Sequence, residues 1–319
     1  MNTATAADPL LAHSNRIAEI VARVGASTLA VIGRRHALAS AVAWRPGLVV
    51  TAAHVFRRTP AAVTLVGADA RNLAATLVGI DSATDLALFR LADEDAVAPV
   101  TLGDADAVQA GHVAIAVGRS GEGDAIASAG LVNRAGGPWQ TWLGGPIDRL
   151  IRLDGGIYDG LSGAPVADAS GAVIGTATSA LSRSYGIVVP AATVSRVVDA
   201  LLAHGRVGRA WLGIGAQAVP LAGDAATADP GAAAPAASTE PAGLLVTSLA
   251  KGGPAERAGV RIGDIIVRAA GSAAASLGQL RQALAAHIGQ VVTLALLRGG
   301  SPLELQTQVG EWPGERRCC

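Results

Sequence analysis

Three short segments of the chain contain residue types that together could carry out acyl transfer. His54 ends the run 49–54, Asp85 precedes the apolar run 86–91, and Ser162 lies in the sequence Gly-Leu-Ser-Gly-Ala-Pro at 160–165. A serine hydroxyl is a weak nucleophile at neutral pH, so it needs a base that takes its proton and a carboxylate that fixes the tautomer of that base. The order His, Asp, Ser therefore predicts peptide-bond hydrolysis, with His54 and Asp85 on one β-barrel and Ser162 on a second.

Each of these residues also has an ordinary structural interpretation. His54 alone would be a packed or solvated histidine, Asp85 a cap at a strand start and Ser162 a turn serine, because Gly-x-Ser-Gly is common. The occurrence of all three motifs in this order favours catalysis. An esterase of the α/β-hydrolase type is disfavoured because its order is Ser, acid, His and its nucleophile starts a helix, whereas Pro165 and a predicted strand follow Ser162.

The other potential ligands do not form a recognisable cofactor site. No metal-ligand spacing and no cysteine cluster accompany the remaining histidines, which are His13, His36, His112, His204 and His287. The glycine-rich stretch 118–123 lacks the Lys-Ser/Thr ending of a phosphate loop, so it predicts a β-hairpin loop instead. We expect neither a metal nor a cofactor.

Composition and charge indicate which classes of partner to expect and in which compartment the protein lies. Basic and acidic residues both number 25 among 319, without a dense basic stripe, so nucleic acid is not an expected partner. No continuous run of about 18 apolar residues predicts a membrane span. The first 25 residues lack the pattern of a secretory signal, and the only cysteines, Cys318 and Cys319, form no disulfide framework. These features predict a cytoplasmic location.

Apolar patterning predicts a helix, two barrels and a small C-terminal domain. Residues 15–24 have helical spacing, and two series of six short apolar runs, at 27–91 and 113–189, are typical of β-barrels. A helix at 191–205 ends this unit, and the Ala/Pro/Gly-rich stretch 217–243 predicts a mobile loop. Regular patterning then resumes, with a helix at 277–287 and strands at 291–297 and 303–309. We place the segments at 1–25, 26–207 and 208–310, with a tail at 311–319.

The motifs at 49–54, 85–88 and 160–165 resemble those of the HtrA/Deg family of trypsin-like serine proteases. The stretches 205–214 and 258–266 resemble the strand entry and the core turn of the PDZ domain in that family. The resemblance covers roughly residues 17–310. It implies a mainly β fold, with a chymotrypsin-like double β-barrel followed by a small α+β PDZ domain. It also implies a homotrimer, and it makes the periplasm or cell envelope the alternative location.

The resemblance implies a role for each site residue. His54 would be the general base, Asp85 its orienting carboxylate and Ser162 the nucleophile, while the N–H groups of Gly160 and Ser162 would form the oxyanion hole. The primary substrate pocket would be lined by Gly156, Ile157, Ala177, Thr178, Ser179 and Gly186. Since no charged residue lies at its base, we expect a small or medium aliphatic side chain before the scissile bond.

The PDZ-like part implies a second site for peptides. Backbone N–H groups in the turn formed by Trp211, Leu212, Gly213 and Ile214 would bind a C-terminal carboxylate. Leu280 and Leu284 would form the wall of an apolar slot, although core packing is an equally good interpretation of their spacing. The expected partners are unfolded polypeptides and peptides with hydrophobic C-termini.

Three positions depart from the family pattern around the serine. Leu161 stands where Asn or Asp is common, Ala164 replaces a second glycine and Asp159 replaces a proline. None of these changes removes a triad group. The sequence therefore predicts a serine endopeptidase that degrades unfolded or C-terminally tagged proteins for quality control. The alternative is a protease-like PDZ scaffold or chaperone with a misformed serine loop.

Overall fold

The computed structural model describes residues 8–33, 37–56, 58–221 and 242–312. Contacts divide the chain between Val207 and Gly208 into two compact units, and each unit is described by itself. His36, Cys318, Cys319 and most of the predicted loop 217–243 lie outside the described residues. Within the described ranges, no helix is both long and apolar enough to cross a bilayer.

The first unit opens with helix α1 (Pro9–Gly25), which begins earlier than the predicted residue 15. Asp8 caps it by accepting a hydrogen bond from the Leu10 N–H at 2.9 Å, and Pro9 occupies the first turn, where its missing N–H is not needed. The Asp8-Pro9 pair marks the start of this helix in the sequence, but the prediction used only the spacing of apolar residues. Ile20 and Val24 lie on the buried face of the helix.

The first barrel is a closed antiparallel sheet in the order β1-β2-β3-β6-β5-β4. Alternate side chains point inward and are fully buried, among them Leu29, Leu65 and Phe89. Six strands lie in the span 27–91, where six were predicted: β1 (Thr28–Ile32), β2 (Ala37–Arg45), β3 (Leu48–Ala52), β4 (Ala62–Val66), β5 (Asn72–Asp81) and β6 (Leu86–Leu91).

The second barrel is also closed, in the order β11-β14-β13-β12-β7-β8. Its strands are β7 (Val113–Arg119), β8 (Ala125–Gly136), β11 (Leu150–Leu153), β12 (Pro165–Ala167), β13 (Val173–Thr178) and β14 (Ile187–Pro190). Two further strands, β9 (Trp139–Gln140) and β10 (Pro146–Ile147), pair with each other outside the barrel. The sequence did not predict this pair because two residues are too few to show alternation.

Helix α2 (Ala191–His204) follows the second barrel and ends at Gly205, whose φ of +68° is a left-handed conformation that glycine adopts without steric cost. Val194 of α2 shares one hydrophobic core with Ile20 of α1, Leu88 of β6 and Ile115 of β7. This core joins both helices to both barrels, and it fixes the parts of the first unit that carry the candidate catalytic residues.

The second unit contains a six-stranded sheet, with the path β16-β17-β18-β20-β21 and β19 paired to β18. The six strands are β16 (Ile214–Pro220), β17 (Ala242–Leu249), β18 (Ile265–Ala269), β19 (Ser272–Ala273), β20 (Val291–Arg298) and β21 (Ser301–Gln308). Two short strands, β15 (Ala210–Trp211) and β22 (Gly310–Glu311), pair with each other, and the helices are α3 (Pro254–Arg257) and α4 (Leu277–Leu284). Because β16 extends to Pro220, the predicted start of the loop at residue 217 is wrong. The predicted mainly β fold class, a double barrel followed by a small α+β domain, is confirmed.

Candidate active site and peptide-binding site

His54 and Asp85 lie side by side because neighbouring strands carry them. His54 is in a short 3-10 turn (Ala53–Val55) directly after β3, and Asp85 directly precedes β6. These strands are paired, with Ala52 opposite Leu86, and the Ala53 N–H donates to the Asp85 carbonyl at 3.1 Å. Residues 31 positions apart are therefore held together by the register of a single strand pair.

The Asp85 carboxylate is buried and accepts three hydrogen bonds. One oxygen accepts from the His54 backbone N–H at 2.8 Å, and the other accepts from His54 Nδ1 at 2.8 Å and from the Thr178 hydroxyl. Asp85 has a φ of +60°, a left-handed conformation that Asp tolerates better than most residues. Since Nδ1 donates to the carboxylate, Nε2 is left as the hydrogen-bond acceptor that a general base needs.

Ser162 lies in the loop between β11 and β12, in a tight turn that requires Gly163. Gly163 has a φ of +81°, and a Cβ there would lie 2.4 Å from the Ser40 carbonyl oxygen. The next residue, Ala164, is fully buried and is not among the described residues with positive φ. Its methyl group is therefore compatible with the backbone, and the replacement of the second glycine does not misform the loop.

Leu161 precedes the nucleophile and anchors the same loop by apolar packing. Its side chain is 3% exposed and belongs to the core of the second barrel, while its N–H donates to the Tyr158 carbonyl at 3.0 Å. A Cβ on Gly118 would lie 2.7 Å from Leu161 Cδ2, so the leucine fills the space above that glycine. Burial of an apolar side chain thus holds the loop where the family commonly has a polar residue.

Ser40 of β2 ties the nucleophile loop to the first barrel, and sequence reasoning missed it. Its N–H donates to the Ser162 carbonyl at 3.0 Å, and its hydroxyl donates to the Gly160 carbonyl at 2.7 Å while accepting from the Arg119 N–H at 3.0 Å. The hydroxyl stands alone in the apolar stretch 39–43, which is the one signal that could have identified it.

Arg119 secures the surroundings of this loop through backbone carbonyl groups, and it forms no direct ion pair with any of the described residues. Its guanidinium is 3% exposed and donates to the carbonyl groups of Gly25, Thr28 and Gly123. Burial lowers the pKa of Arg119 from its ordinary value, and the charge of Asp124 opposes that change. The arginine therefore links the end of α1 and the start of β1 to β7.

The two predicted oxyanion-hole donors are free within the described part of the chain. In those residues, no hydrogen-bond acceptor faces the N–H of either Gly160 or Ser162. Gly160 has a φ of +83°, which a residue with a Cβ would adopt only at a cost. Unpaired N–H groups beside a nucleophile are the donors that a developing oxyanion requires.

The hydroxyl of Ser179 lies between Ser162 and His54. Ser162 Oγ is 3.3 Å from Ser179 Oγ, which is 3.4 Å from His54 Nε2. Among the hydrogen bonds of the described residues, none joins Ser162 Oγ directly to His54 Nε2. The structure thus brings all three predicted triad residues together, with Ser179 as a fourth residue in the arrangement.

Only some of the residues predicted to line the substrate pocket lie together in the structure. Gly186 and Ile157 are neighbours, because a Cβ on Gly186 would lie 2.8 Å from Ile157 Cδ1. Gly156 and Ile157 also line a cavity of about 260 Å³ beside Tyr158 and Leu161, but the remaining predicted residues are not in its lining.

Two of those remaining residues do not present their side chains to a pocket. The Thr178 side chain is 1% exposed and donates to Asp85, and the Ala177 side chain is buried in the core of the second barrel. Ala177 and Thr178 therefore contribute no exposed side chain to the predicted pocket, and lining of the pocket by their backbone stays a prediction. Consecutive strand residues face opposite ways, so Ala177 packs into the barrel while Thr178 reaches Asp85 from the other face of β13. The Ala177 backbone instead supports the serine loop, and its carbonyl accepts from the Gly163 N–H at 2.8 Å.

In the second unit, the predicted carboxylate-binding turn precedes an edge strand. Trp211 and Ile214 are partly exposed, Leu212 is buried, and Gly213 has a φ of +75°. Strand β16 starts at Ile214 and lies at one end of the sheet path. An edge strand offers unpaired backbone groups to an added peptide strand.

Leu280 and Leu284 of α4 are 3% and 2% exposed and lie in the core of the second unit. Their burial agrees with the core interpretation that the sequence had left open. The structure therefore does not present these two side chains as an open slot.

Comparison with known proteins identifies both units. The family described as "Trypsin-like peptidase domain" matches residues 39–175, and the PDZ domain family matches residues 245–298. A probable periplasmic serine endoprotease, DegP-like, from Rhizobium meliloti (strain 1021) is 30% identical over 277 residues. The chain belongs to the HtrA/Deg family.

Solved HtrA structures agree with this assignment. The HtrA-type protease AlgW with tripeptide has a TM-score of 0.73 at 25% identity, covering 93% of this chain and 97% of that one. The serine endoprotease from Yersinia pestis has the same fold, with a TM-score of 0.73 at 22% identity, covering 93% and 98%.

The chain spans about half the length of the curated HtrA/Deg relatives that it matches. The match to the Rhizobium protein covers 85% of this chain and 52% of that protein. A DegP-like protein of Chlamydia trachomatis serovar D is 32% identical, with 84% and 53% covered.

The expectation of a cytoplasmic location is wrong. The HtrA/Deg relatives from Rhizobium, Chlamydia and Brucella suis are all named periplasmic, which points to the periplasm or cell envelope. The sequence argument failed in part because the lack of a disulfide framework is compatible with either compartment.

Proposed function

We propose that this chain is a serine endopeptidase of the HtrA/Deg type, and that it hydrolyses peptide bonds through an acyl-enzyme. Ser162 is the nucleophile, His54 the general base, and Asp85 the carboxylate that orients His54. The observation that carries the proposal is the 2.8 Å contact between Asp85 and His54 Nδ1, with Ser162 on the Nε2 side of the ring.

The reaction follows from this arrangement. Ser162 Oγ attacks the scissile carbonyl while its proton passes to His54 Nε2, and the N–H groups of Gly160 and Ser162 stabilise the resulting oxyanion. His54 then gives the proton to the leaving amine, and water hydrolyses the acyl-enzyme by the same steps in reverse. Asp85 stabilises the imidazolium and keeps the proton of the resting ring on Nδ1.

The substrates that we propose are unfolded or C-terminally tagged polypeptides, and the biological role is protein quality control. An extended segment would add beside the backbone of residues 177–179 through main-chain hydrogen bonds. The family assignment and the DegP-like relatives support this role. A small or medium aliphatic side chain before the scissile bond remains our prediction for the pocket at Gly156, Ile157 and Gly186.

We further propose that 26–207 is the catalytic domain, that 208–310 is a PDZ domain, and that the protein assembles as a homotrimer. The PDZ domain would bind hydrophobic C-terminal peptides along β16, with the carboxylate at the turn Trp211–Ile214. The edge position of β16 and the PDZ family match support this assignment.

The test compares wild-type protein with Ser162→Ala. We expect wild type to cleave casein and to be labelled at Ser162 by a fluorophosphonate, and the variant to do neither while it still binds a hydrophobic C-terminal peptide. Cleavage by the purified variant would reject Ser162 as the nucleophile. A folded wild-type protein that the probe does not label would favour the scaffold alternative.

A further inference from the structure

The structure contains a second hydroxyl at the nitrogen that has to accept the proton of Ser162. Ser179 Oγ is within hydrogen-bonding range of both His54 Nε2, at 3.4 Å, and Ser162 Oγ, at 3.3 Å. Both distances exceed about 2.5–3.0 Å, the usual range for a hydrogen bond donated by a hydroxyl group. The contacts are therefore weak and easily exchanged.

The imidazole can accept a hydrogen bond from only one of these hydroxyls at a time. Because Nδ1 donates its proton to Asp85, Nε2 has a single lone pair and accepts one hydrogen bond. When Ser179 donates to that lone pair, the Ser162 hydroxyl can donate to Ser179 but not to His54. The Ser162 proton then has no direct path to the base. A hydrogen bond from Ser179 to His54 thus competes with the bond that activates Ser162.

The backbone at Ser179 keeps its hydroxyl in this position. The preceding residue, Thr178, is anchored by donating to Asp85 and by accepting from the Ala180 N–H at 3.0 Å. Thr178 turns its side chain to Asp85 at the end of β13, and Ser179, which follows the strand, is exposed where residues 173–178 are all buried.

We propose that Ser179 is a positioning residue that occupies His54 Nε2 in the free enzyme and gives it up when substrate binds. The inference rests on the proposed peptidase function. An extended substrate beside residues 177–179 would approach the outward side of Ser179, and rotation of its hydroxyl away from the ring would leave Nε2 to Ser162. The resting enzyme is then held below its full reactivity by a contact that substrate binding removes.

The test measures the second-order rate at which a small fluorophosphonate labels Ser162 in the full chain. Removal of the competing hydroxyl in Ser179→Ala should raise this rate about two- to tenfold, which is the value of one neutral hydrogen bond. Ser179→Thr, which keeps a hydroxyl, should label at close to the wild-type rate. Ser184→Ala, which changes an exposed serine of the same loop away from His54, should not alter it.

Peptide hydrolysis separates this role from a merely structural one. Since the contact stabilises only the free enzyme, Ser179→Ala should lower KM and leave kcat unchanged. A proton relay through Ser179 would instead lower kcat at least tenfold, and that result would overturn the proposal. An unchanged labelling rate in a variant that melts like wild type would also overturn it.

Failure of this inference can be distinguished from failure of the proposed function. If wild type is labelled at Ser162 and Ser179→Ala is labelled no faster, the competition is absent but the nucleophile stands. If wild type is not labelled at all, the peptidase assignment itself fails.

Discussion

Replacing Asp85 by Asn should put the proton of His54 on the wrong nitrogen. The His54 backbone N–H donates to one carboxylate oxygen at 2.8 Å, so the amide oxygen of Asn has to take that place. The amide NH₂ then faces His54 Nδ1, which becomes an acceptor, and the ring proton moves to Nε2. In that tautomer, His54 cannot take a proton from Ser162.

The magnitude follows from the loss of the base. The same change in a triad enzyme that keeps its geometry lowers turnover by about 10⁴, equivalent to about 5.5 kcal/mol of transition-state stabilisation. The opposite orientation of the Asn amide is disfavoured, because its NH₂ group would then face the His54 backbone N–H. Leaving such buried donors unpaired costs about 1–3 kcal/mol of stability. We therefore expect a loss of about 10⁴ in kcat/KM.

The assay is peptide hydrolysis together with fluorophosphonate labelling, with thermal melting to show that the variant is folded. The control is Asp199→Asn, which alters an exposed carboxylate that accepts from Arg45 at 2.6 Å and lies outside the catalytic arrangement. This control should retain wild-type activity within about twofold. A folded Asp85→Asn variant with activity within tenfold of wild type would refute the tautomer argument.

Two further predictions concern the turn that holds Ser162 and the charge inside the second unit. Gly163→Ala should abolish labelling and lower the melting temperature, because the residue has a φ of +81° and its Cβ would lie 2.4 Å from the Ser40 carbonyl oxygen; wild-type melting and labelling would contradict the steric argument. The Asp264 carboxyl is buried, and the hydrogen bond from Arg298 lowers its pKa. Since the unfolded chain has the higher pKa, it binds the proton first, and stability contributed by this pair should fall as the pH drops below about 4. Acid titration of tryptophan fluorescence checks this, with Asp264→Asn expected to lose that part of the pH dependence; an equal acid transition in both proteins would count against it.

The sequence predicted the framework of the molecule well because that information is local. The strands of the first barrel were readable from apolar runs between turns, and the ordered motifs at His54, Asp85 and Ser162 identified the family. The start of α1 was also local, in Asp8 and Pro9, but apolar periodicity does not detect a capping residue.

The contacts that complete the site were not predictable from spacing. Ser40 lies 120 residues from Gly160, and its hydroxyl looks like an ordinary strand residue until the two barrels are packed together. Thr178 was taken for a pocket residue, whereas its side chain turns inward to Asp85. Ser179 became informative only once its direction was known, since one residue along a strand reverses the face on which a side chain lies.

If the chain handles unfolded polypeptides, as we propose, closure of its two barrels has a further consequence. In both barrels, every strand is hydrogen-bonded on its two sides, so the barrels have no open sheet edge along which a misfolded polypeptide could nucleate a fibre. In the second unit, β16 lies at an open edge of the sheet. On the proposed function, the closed barrels thus give an unfolded substrate no sheet edge to pair with, while β16 keeps an edge suited to peptide capture.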